Sequence, residues 1–304
     1  PFLGGILTQF FGWRSIFVVT AVLALPVLFS SGKFPAFLNE RHCEDFDVPG
    51  LVLSSALILC LFLGLASATT LTGLALLAAA FVLGMAFYRV ERRHPSPLLP
   101  VSVLRENRVF ASSNAAALIN YSATYAVGFL LSLYLQYVQG YAPAAAGTLL
   151  LVQPIIQIFI SPVAGRLSDQ IRPGLIAAGG LALSAACLFG LAMLSETTPV
   201  AAIIALLVFL GIGVGFFSSP NTTAIMESVE KRYYGSASAM VAMMRSLGMM
   251  MSMGLVLVVF AVIMGSTAVT PEIFPEFLAS MRLIFLAFAI LSVLGIFLSL
   301  RKDD

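Results

Sequence analysis

The sequence predicts an all-α polytopic membrane protein, and three observations carry that prediction. Hydrophobic residues make up 60% of the chain and charged residues 10%, with a mean hydropathy of +1.02. Soluble domains hold about 45–50% apolar and about 25% charged residues, so a water-facing fold has no place for the excess. The apolar residues also fall into blocks of about 18–28 separated by short polar stretches, and about 20 cross a hydrocarbon core roughly 30 Å thick. Finally, the blocks are apolar all round, as in 51–66 and 201–217. Barrel strands would alternate; helices remain as the way to satisfy backbone groups in lipid.

Taken in order, a helix end at 1–11 precedes spans near 14–31, 49–67 and 70–88. Six more follow at 109–136, 143–164, 174–195, 199–219, 236–264 and 279–300. If the connector 32–48 is cytoplasmic, alternation puts 89–108, 165–173, 220–235 and 301–304 on the same side. Those segments carry 13 of the 16 basic residues, from Lys33 and Arg41 through Arg89, Arg92, Arg93, Arg166, Arg172 and Lys231 to Lys302. Arg14 and Arg282 lie opposite and Arg245 lies within a span, which satisfies the positive-inside rule. The outward connectors are mostly short, leaving no sizeable extramembrane domain.

Pro1 opens the chain with no initiator Met and no signal-peptide pattern ahead of the apolar sequence, which predicts a chain truncated at its start. Net charge is only +2, with no basic run interleaved with aromatics, so no nucleic-acid partner is expected. Cys43, Cys60 and Cys187 form no C-x-x-C pair and ask for neither a disulfide framework nor zinc.

An enzyme has few residues to stand on. His42 and His94 are the only histidines, both in connectors and neither in a metalloprotease or nucleophile pattern. The cluster Glu40, Arg41, His42, Cys43, Glu44 and Asp45 reads as a solvated loop rather than a metal site, and no cofactor is expected. Gly211, Gly213 and Gly215 spell G-x-G-x-G inside an apolar stretch, where small residues let helices approach closely rather than cradle a dinucleotide.

Ionisable residues at membrane depth are costly and therefore candidates for function. No Asp or Glu is predicted near the midplane, and Arg245 is the one charge inside a span. It either anchors the helix by snorkelling or lines a cavity and pairs, with Glu227 as its partner within the chain. Uncharged polar residues add a second signal. Asn114, Tyr121 and Tyr125 share one helix face at i, i+7, i+11, with Asn120 off that face, and Gln153 and Gln157 follow at i, i+4 on the next span. Each satisfies itself across helices or lines a watery cavity; two such faces on consecutive helices favour the cavity. Pro154 beside Gln153 frees backbone groups and permits bending there. Met240, Met243, Met244, Met249, Met250, Met251 and Met253 crowd one span, as packing filler or as a surface adaptable to varied ligands.

Several runs resemble the major facilitator superfamily, and within it the fourteen-span drug:proton antiporters of the EmrB/QacA type. Pro1, Gly4 and Gly5 look like the end of that family's G-P-x-x-G-G antiporter signature, and Gly12-Trp13-Arg14-Ser15-Ile16-Phe17 is similar to its turn into the sixth span. Phe46-Asp47-x-x-Gly50 resembles the start of the first of two extra central spans. The run Ser132 to Pro143, with Gln136 at its centre and Ala146-Gly147 after it, is similar to the family's l-P-x-y-l-Q-x-v-x-G-x-s-P-x-x-A-G. Gly165-Arg166-Leu167-Ser168-Asp169 resembles the cytoplasmic G-x-L-s-D motif, and Arg245-Ser246-Leu247-Gly248 the R-x-l-G of the thirteenth span. Two departures stand out. The basic residues expected after Asp169 are replaced by Gln170, Ile171, Arg172, Pro173 and Gly174, thinning the motif's charge network, and Ser132 stands for a proline, which predicts a less kinked helix.

The resemblance implies a major facilitator fold in the plasma membrane. Residues 1–31 would end a first bundle, 32–48 and 89–108 would be cytoplasmic connectors, 49–88 two linking spans, 109–300 a complete second six-helix bundle and 301–304 a tail. It implies alternating access, with small-molecule export coupled to protons and a lipophilic or cationic drug-like substrate. Within the same class the alternative is a carrier for a metabolite, sugar or peptide; outside it, a non-transporting scaffold or receptor. Substrate-cavity candidates are Asn114, Tyr121, Tyr125, Gln136, Gln153, Gln157 and Arg245. Conformational candidates are Pro1, Gly4, Gly5, Gly165, Asp169 and Arg172, with a carboxylate at a helix N-terminus gating movement. The proton-coupling acid and part of the cavity would lie in helices that precede this chain, which would not transport without them.

Overall fold

A computed structural model describes residues 14–31, 47–93, 106–265 and 273–300, together with Leu7, Phe11, Gly12 and Leu104. Among these residues regular structure is entirely helical: α1 (Arg14–Ser31), α2 (Val48–Ala66), α3 (Leu71–Glu91), α4 (Arg108–Leu133), α5 (Pro143–Leu150), α6 (Val152–Ser168), α7 (Pro173–Leu191), α8 (Val200–Glu227), α9 (Tyr234–Ile263) and α10 (Phe274–Leu300). A π turn, Tyr134–Val138, extends α4, and a 3₁₀ turn, Lys231–Tyr233, precedes α9. Eight helical stretches are long and apolar enough to cross a membrane, with α5 and α6 counted as one. The expected span at 14–31 coincides with α1, whose apolar stretch is Phe17–Pro26.

Local chemistry accounts for the helix ends. Asp47 precedes α2 and its Oδ1 accepts from Gly50 N at 2.7 Å. Thr70 Oγ1 accepts from Gly73 N at 3.1 Å before α3, and Asn107 Oδ1 accepts from Phe110 N at 2.9 Å before α4. Pro143 and Pro173 sit in the first turns of α5 and α7, where no N–H is needed. The expected bend at Pro154 is a break between α5 and α6. Proline cannot donate to the carbonyl four residues back, which is Leu150, the last residue of α5.

One boundary differs substantially from expectation. The connector expected at 220–235 shrinks, because α8 runs through Pro220 to Glu227. Pro220 is buried, and Asn221 next to it donates from Nδ2 to Ser113 O at 3.2 Å on α4, so packing holds this end helical despite the proline. At Ser132 the helix runs on, in line with the span expected at 109–136. Without the proline, α4 continues to Leu133 and passes into the π turn.

The α2–α3 hairpin packs antiparallel and meets the remaining helices through α2 against α9, where Leu65 lies on Gly254. Spans α4 to α10 form a bundle in which α6, α8, α4 and α9 stand in a row, with α7 behind α8, α10 behind α4, and α7 against α10. Exchanging α4 with α8, α5/α6 with α9 and α7 with α10 maps the principal contacts onto themselves. This is the pattern of two three-span repeats of opposite direction. The apolar core lies between α4, α7, α8 and α10 around Leu130, Leu188, Phe277, Phe285 and Phe288.

Lipid gives little hydrophobic drive between helices, so close contact has to supply the cohesion. The G-x-G-x-G stretch does this in two directions. A Cβ on Gly213 would stand 2.6 Å from Ser184 Oγ and 2.9 Å from Gly180 O, so that position lets α7 in. Cβ atoms on Gly211 and Gly215 would stand 2.6 Å from Gln153 O and 2.8 Å from Ile160 Cγ2, so those positions let α6 in.

Candidate functional site

The row α6–α8–α4–α9 is covered on one side by α7 and α10, and its other side defines the site. On α4, Ser113 faces α8 through Asn221, and Ser122 and Ala126 face α9 through Gly248 and Ser252. The stripe left between them carries half-buried Tyr121 and exposed Tyr125, Gly128 and Phe129.

Arg245 reaches this stripe from α9. Its guanidinium carbon lies 5.5 Å from the Tyr121 ring centroid, within cation–π range. Gly248, one turn further along α9, makes the approach possible: a Cβ there would stand 2.7 Å from Tyr121 Cβ and 2.8 Å from Leu118 O. The R-x-l-G run is therefore one device, in which the glycine brings the helices together and the arginine uses the proximity. Tyr121 stands two residues from the centre of the span Arg108–Val138, about 3 Å along the axis at about 1.5 Å per residue. A snorkelling arginine would point its head towards the nearer helix end. This one is held level with the middle of its neighbour.

Arg245 has no carboxylate partner among the described residues. Glu227, its expected partner, is exposed at the end of α8. Asn221 is level with Ser113, so Glu227 lies beyond the Ser113 level on one side and Tyr121 on the other. The two groups are separated by about 20 Å along the bundle.

The remaining expected cavity residues divide. Gln153 and Gln157 are half-buried on α6, with Gln153 Nε2 only 3.5 Å from Gln157 Oε1, a long contact that leaves both amides available. Asn114 is buried; its Nδ2 donates to Phe110 O at 2.9 Å, and its Oδ1 has no hydrogen-bond partner among the described residues. Gln136 spends its amide on its own helix, donating to Ser132 Oγ at 2.8 Å and Ser132 O at 3.1 Å. Asn120, off the Tyr121 face as expected, is buried in the core with neither amide atom hydrogen-bonded among the described residues.

Of the conformational candidates, Pro1, Gly4 and Gly5 lie outside the described residues, as do Glu40 to Asp45 and His94. Gly165 packs on α8, where a Cβ would stand 3.0 Å from Ser219 Oγ. Asp169 sits at the C-terminal end of α6 with an exposed side chain, and Arg172 stands at the start of α7 without capping it. Asp169 closes its own helix, and Pro173 rather than a carboxylate begins the next.

Three residues matter that the sequence reading passed over. Buried Tyr134 donates from its hydroxyl to Ser195 O at 2.6 Å. Gln139 Nε2 reaches Tyr134 Oη at 3.0 Å, Glu196 O at 3.0 Å and Thr198 O at 3.2 Å. At the opposite end Asn107 Nδ2 donates to Ser228 O. Together they tie the two ends of α4 to the segments that flank α8, the α7–α8 connector on one side and Ser228 on the other. Asn107, directly before an apolar run, carried a recognisable capping signal; the partners of Tyr134 and Gln139 lie more than fifty residues away and left none.

The sequence pattern of the family described as Major Facilitator Superfamily matches residues 48–253. Among curated proteins, the chain is 31% identical over 249 residues to the riboflavin transporter RibZ of Clostridioides difficile (strain 630), covering 81% of this chain and 54% of that protein. It is 30% identical over 253 residues to the uncharacterized transporter YebQ of Escherichia coli (strain K12), covering 82% and 55%. It is 29% identical over 246 residues to the tetracenomycin C resistance and export protein of Streptomyces glaucescens, covering 79% and 46%. The chain spans about half the length of the curated relatives it matches.

Proposed function

The chain belongs to the major facilitator superfamily, and from that premise we propose that it forms the second bundle and linking spans of a secondary active exporter of drug-like small molecules. Its fold is the major facilitator fold, and it is a multi-pass integral protein of the plasma membrane. Membership in a transporter family also directs the reading away from enzymatic chemistry.

The finer reading is a proton-coupled antiporter of the fourteen-span type. In it, 109–300 is the second bundle, 49–88 the linking pair and 1–31 the end of a first bundle. The two-repeat packing, the α2–α3 hairpin outside it and the tetracenomycin C resistance and export protein among the relatives support it. The observation that carries it is Arg245 over Tyr121 at mid-span. A charge there costs about 2.5–3.5 kcal/mol or more against lipid, and a water-filled cavity removes that cost. The uncovered side of the row is where a facing bundle would close such a cavity.

Alternating access needs the bundle to move as a body. The ties from Asn107, Tyr134 and Gln139 hold α4 and α8 together at both ends, while α6 and α9 flank them. In this reading α4 and α8 are the rigid pair that presents the site, and the end of α6 from Gly165 to the exposed Asp169 belongs to the end that slides. A carrier for a metabolite is the second reading, favoured by the riboflavin transporter among the relatives.

The test is flux. In inverted vesicles bearing the whole protein, an imposed proton gradient should drive uptake of at least one of a panel of lipophilic dyes. A protonophore and Arg245→Ala should each abolish it. Proton-independent flux, or none from folded protein, contradicts the reading.

A further inference from the structure

Resting on that transport reading, we propose that the Arg245–Tyr121 pair is the subsite for an anionic or carbonyl-rich group on a planar aromatic substrate, so that this bundle selects against cations.

The charge census sets the direction. Between the helix ends of α4 to α10, the described residues include no aspartate or glutamate; Glu227 and Glu276 lie at the extremities. Among the described residues Arg245 and Arg282 are the charges lying well inside these helices, both are positive, and Arg245 is the one beside the Tyr121 stripe. A cationic substrate entering beside it meets repulsion with no compensating carboxylate from these helices. An anion relieves the cost of holding the arginine there.

The donor inventory sharpens the choice. A guanidinium lying over an aromatic ring spends its face on the ring and keeps its N–H groups at the edge, where they match a carboxylate or paired carbonyls two at a time. No carboxylate among the described residues occupies that edge. On the same α4 face stand the hydroxyls of Tyr121 and Tyr125, whereas the amides of Gln153 and Gln157 belong to α6 at the far end of the row and do not flank the arginine. The arginine and both phenols bring donors, and the two phenol rings offer flat surfaces, one of them half exposed at Tyr125. An acceptor-bearing flat ring system answers all of these at once. A compact hydrophilic anion uses the charge and wastes the rings; a lipophilic cation uses the rings and opposes the charge.

Gly248 fixes the specificity in the backbone. Because it brings α9 against Tyr121 Cβ and Leu118 O, Arg245 is pre-positioned and does not have to be gathered by the ligand.

The experiment compares two dyes with the same three-ring frame and opposite charge, fluorescein and rhodamine 6G, binding to the purified protein in lipid nanodiscs by fluorescence anisotropy. Fluorescein should bind more tightly. Arg245→Gln should weaken it roughly ten- to hundred-fold while changing rhodamine 6G less than about three-fold, and Arg245→Lys should recover part of the loss. Helical circular dichroism and a monodisperse elution profile establish that each variant is folded. Equal or tighter rhodamine 6G binding, an Arg245→Gln variant that keeps fluorescein, or no fluorescein binding by folded protein overturns the proposal. Those outcomes leave the transport reading standing if vesicles still move any dye in a proton-dependent way. Loss of all proton-dependent flux with fluorescein binding intact would overturn the transport reading instead.

Discussion

Gly248 lies so close to Tyr121 that a Cβ on the glycine would stand 2.7 Å from the tyrosine's own Cβ. Gly248→Val must therefore push α9 off α4, because the nearest obstacles include the backbone of Leu118 and Ser122, which cannot swing away. Overpacking of this kind costs about 1–3 kcal/mol. The expected outcome is a lower thermal unfolding midpoint in detergent, together with loss of the same ligand affinity that Arg245→Gln removes. A variant with normal stability and ligand binding would mean that α4 and α9 are not in close contact.

The two ties on α4 should behave independently. Tyr134→Phe leaves Ser195 O without its buried donor, and Asn107→Ala removes both a cap and the bond to Ser228. Each should cost about 1–2 kcal/mol. The ties stand at opposite ends of the span Arg108–Val138, so the double variant should lose the sum to within about 0.5 kcal/mol. Strong non-additivity in denaturant titrations would indicate that α4 and α8 come apart as one cooperative unit rather than at separate ends.

Gly50 holds the α2–α3 hairpin closed. A Cβ there would stand 2.3 Å from Asp47 Oδ2 and 2.8 Å from Glu91 Oε1, so Gly50→Ala displaces two buried carboxylates at once. Hydrogen exchange should speed up at the Asp47 and Glu91 ends of the hairpin and stay unchanged in α7 and α8. Exchange that spreads into the bundle would show that the hairpin is integral to it.

Gly213→Ala should separate α7 from α8, since the added carbon meets Gly180 O and Ser184 N as well as Ser184 Oγ. A loss of about 1–3 kcal/mol is expected. Gly128→Ala, with nothing within 4 Å of the added carbon, should leave stability nearly unchanged. Measuring the two side by side separates packing from general helix propensity.

How much of this was legible in the sequence depends on the range of the interaction. Span positions were, because length and apolarity are local, and so was a disturbance at Pro154, read as a bend within one span where the helix breaks, because a missing N–H acts four residues back. The end of α8 was not: Pro220 and the polar residues after it read as a loop, and packing against other helices, including the contact of Asn221 with Ser113, is not visible in the local sequence. The site was half legible. The Tyr121 face and Arg245 could be picked out separately by periodicity and by charge at depth, but no periodicity records which helix face meets which, so Glu227 was offered as the partner where Tyr121 is. Gln136 read as cavity-lining by residue type alone, and its bond back to Ser132 shows how a polar side chain can satisfy itself within one turn.

Water at mid-span is what the account depends on, and thiol accessibility measures it directly. With Cys43, Cys60 and Cys187 replaced, Tyr125→Cys should react readily with a charged, membrane-impermeant methanethiosulfonate, and an excess of bound ligand should slow the reaction. Phe297→Cys, on an exposed face of α10, serves as the lipid reference and should react little. Labelling of Tyr125→Cys no faster than that of Phe297→Cys would place the Tyr121 stripe in lipid or in a dry contact and contradict the account.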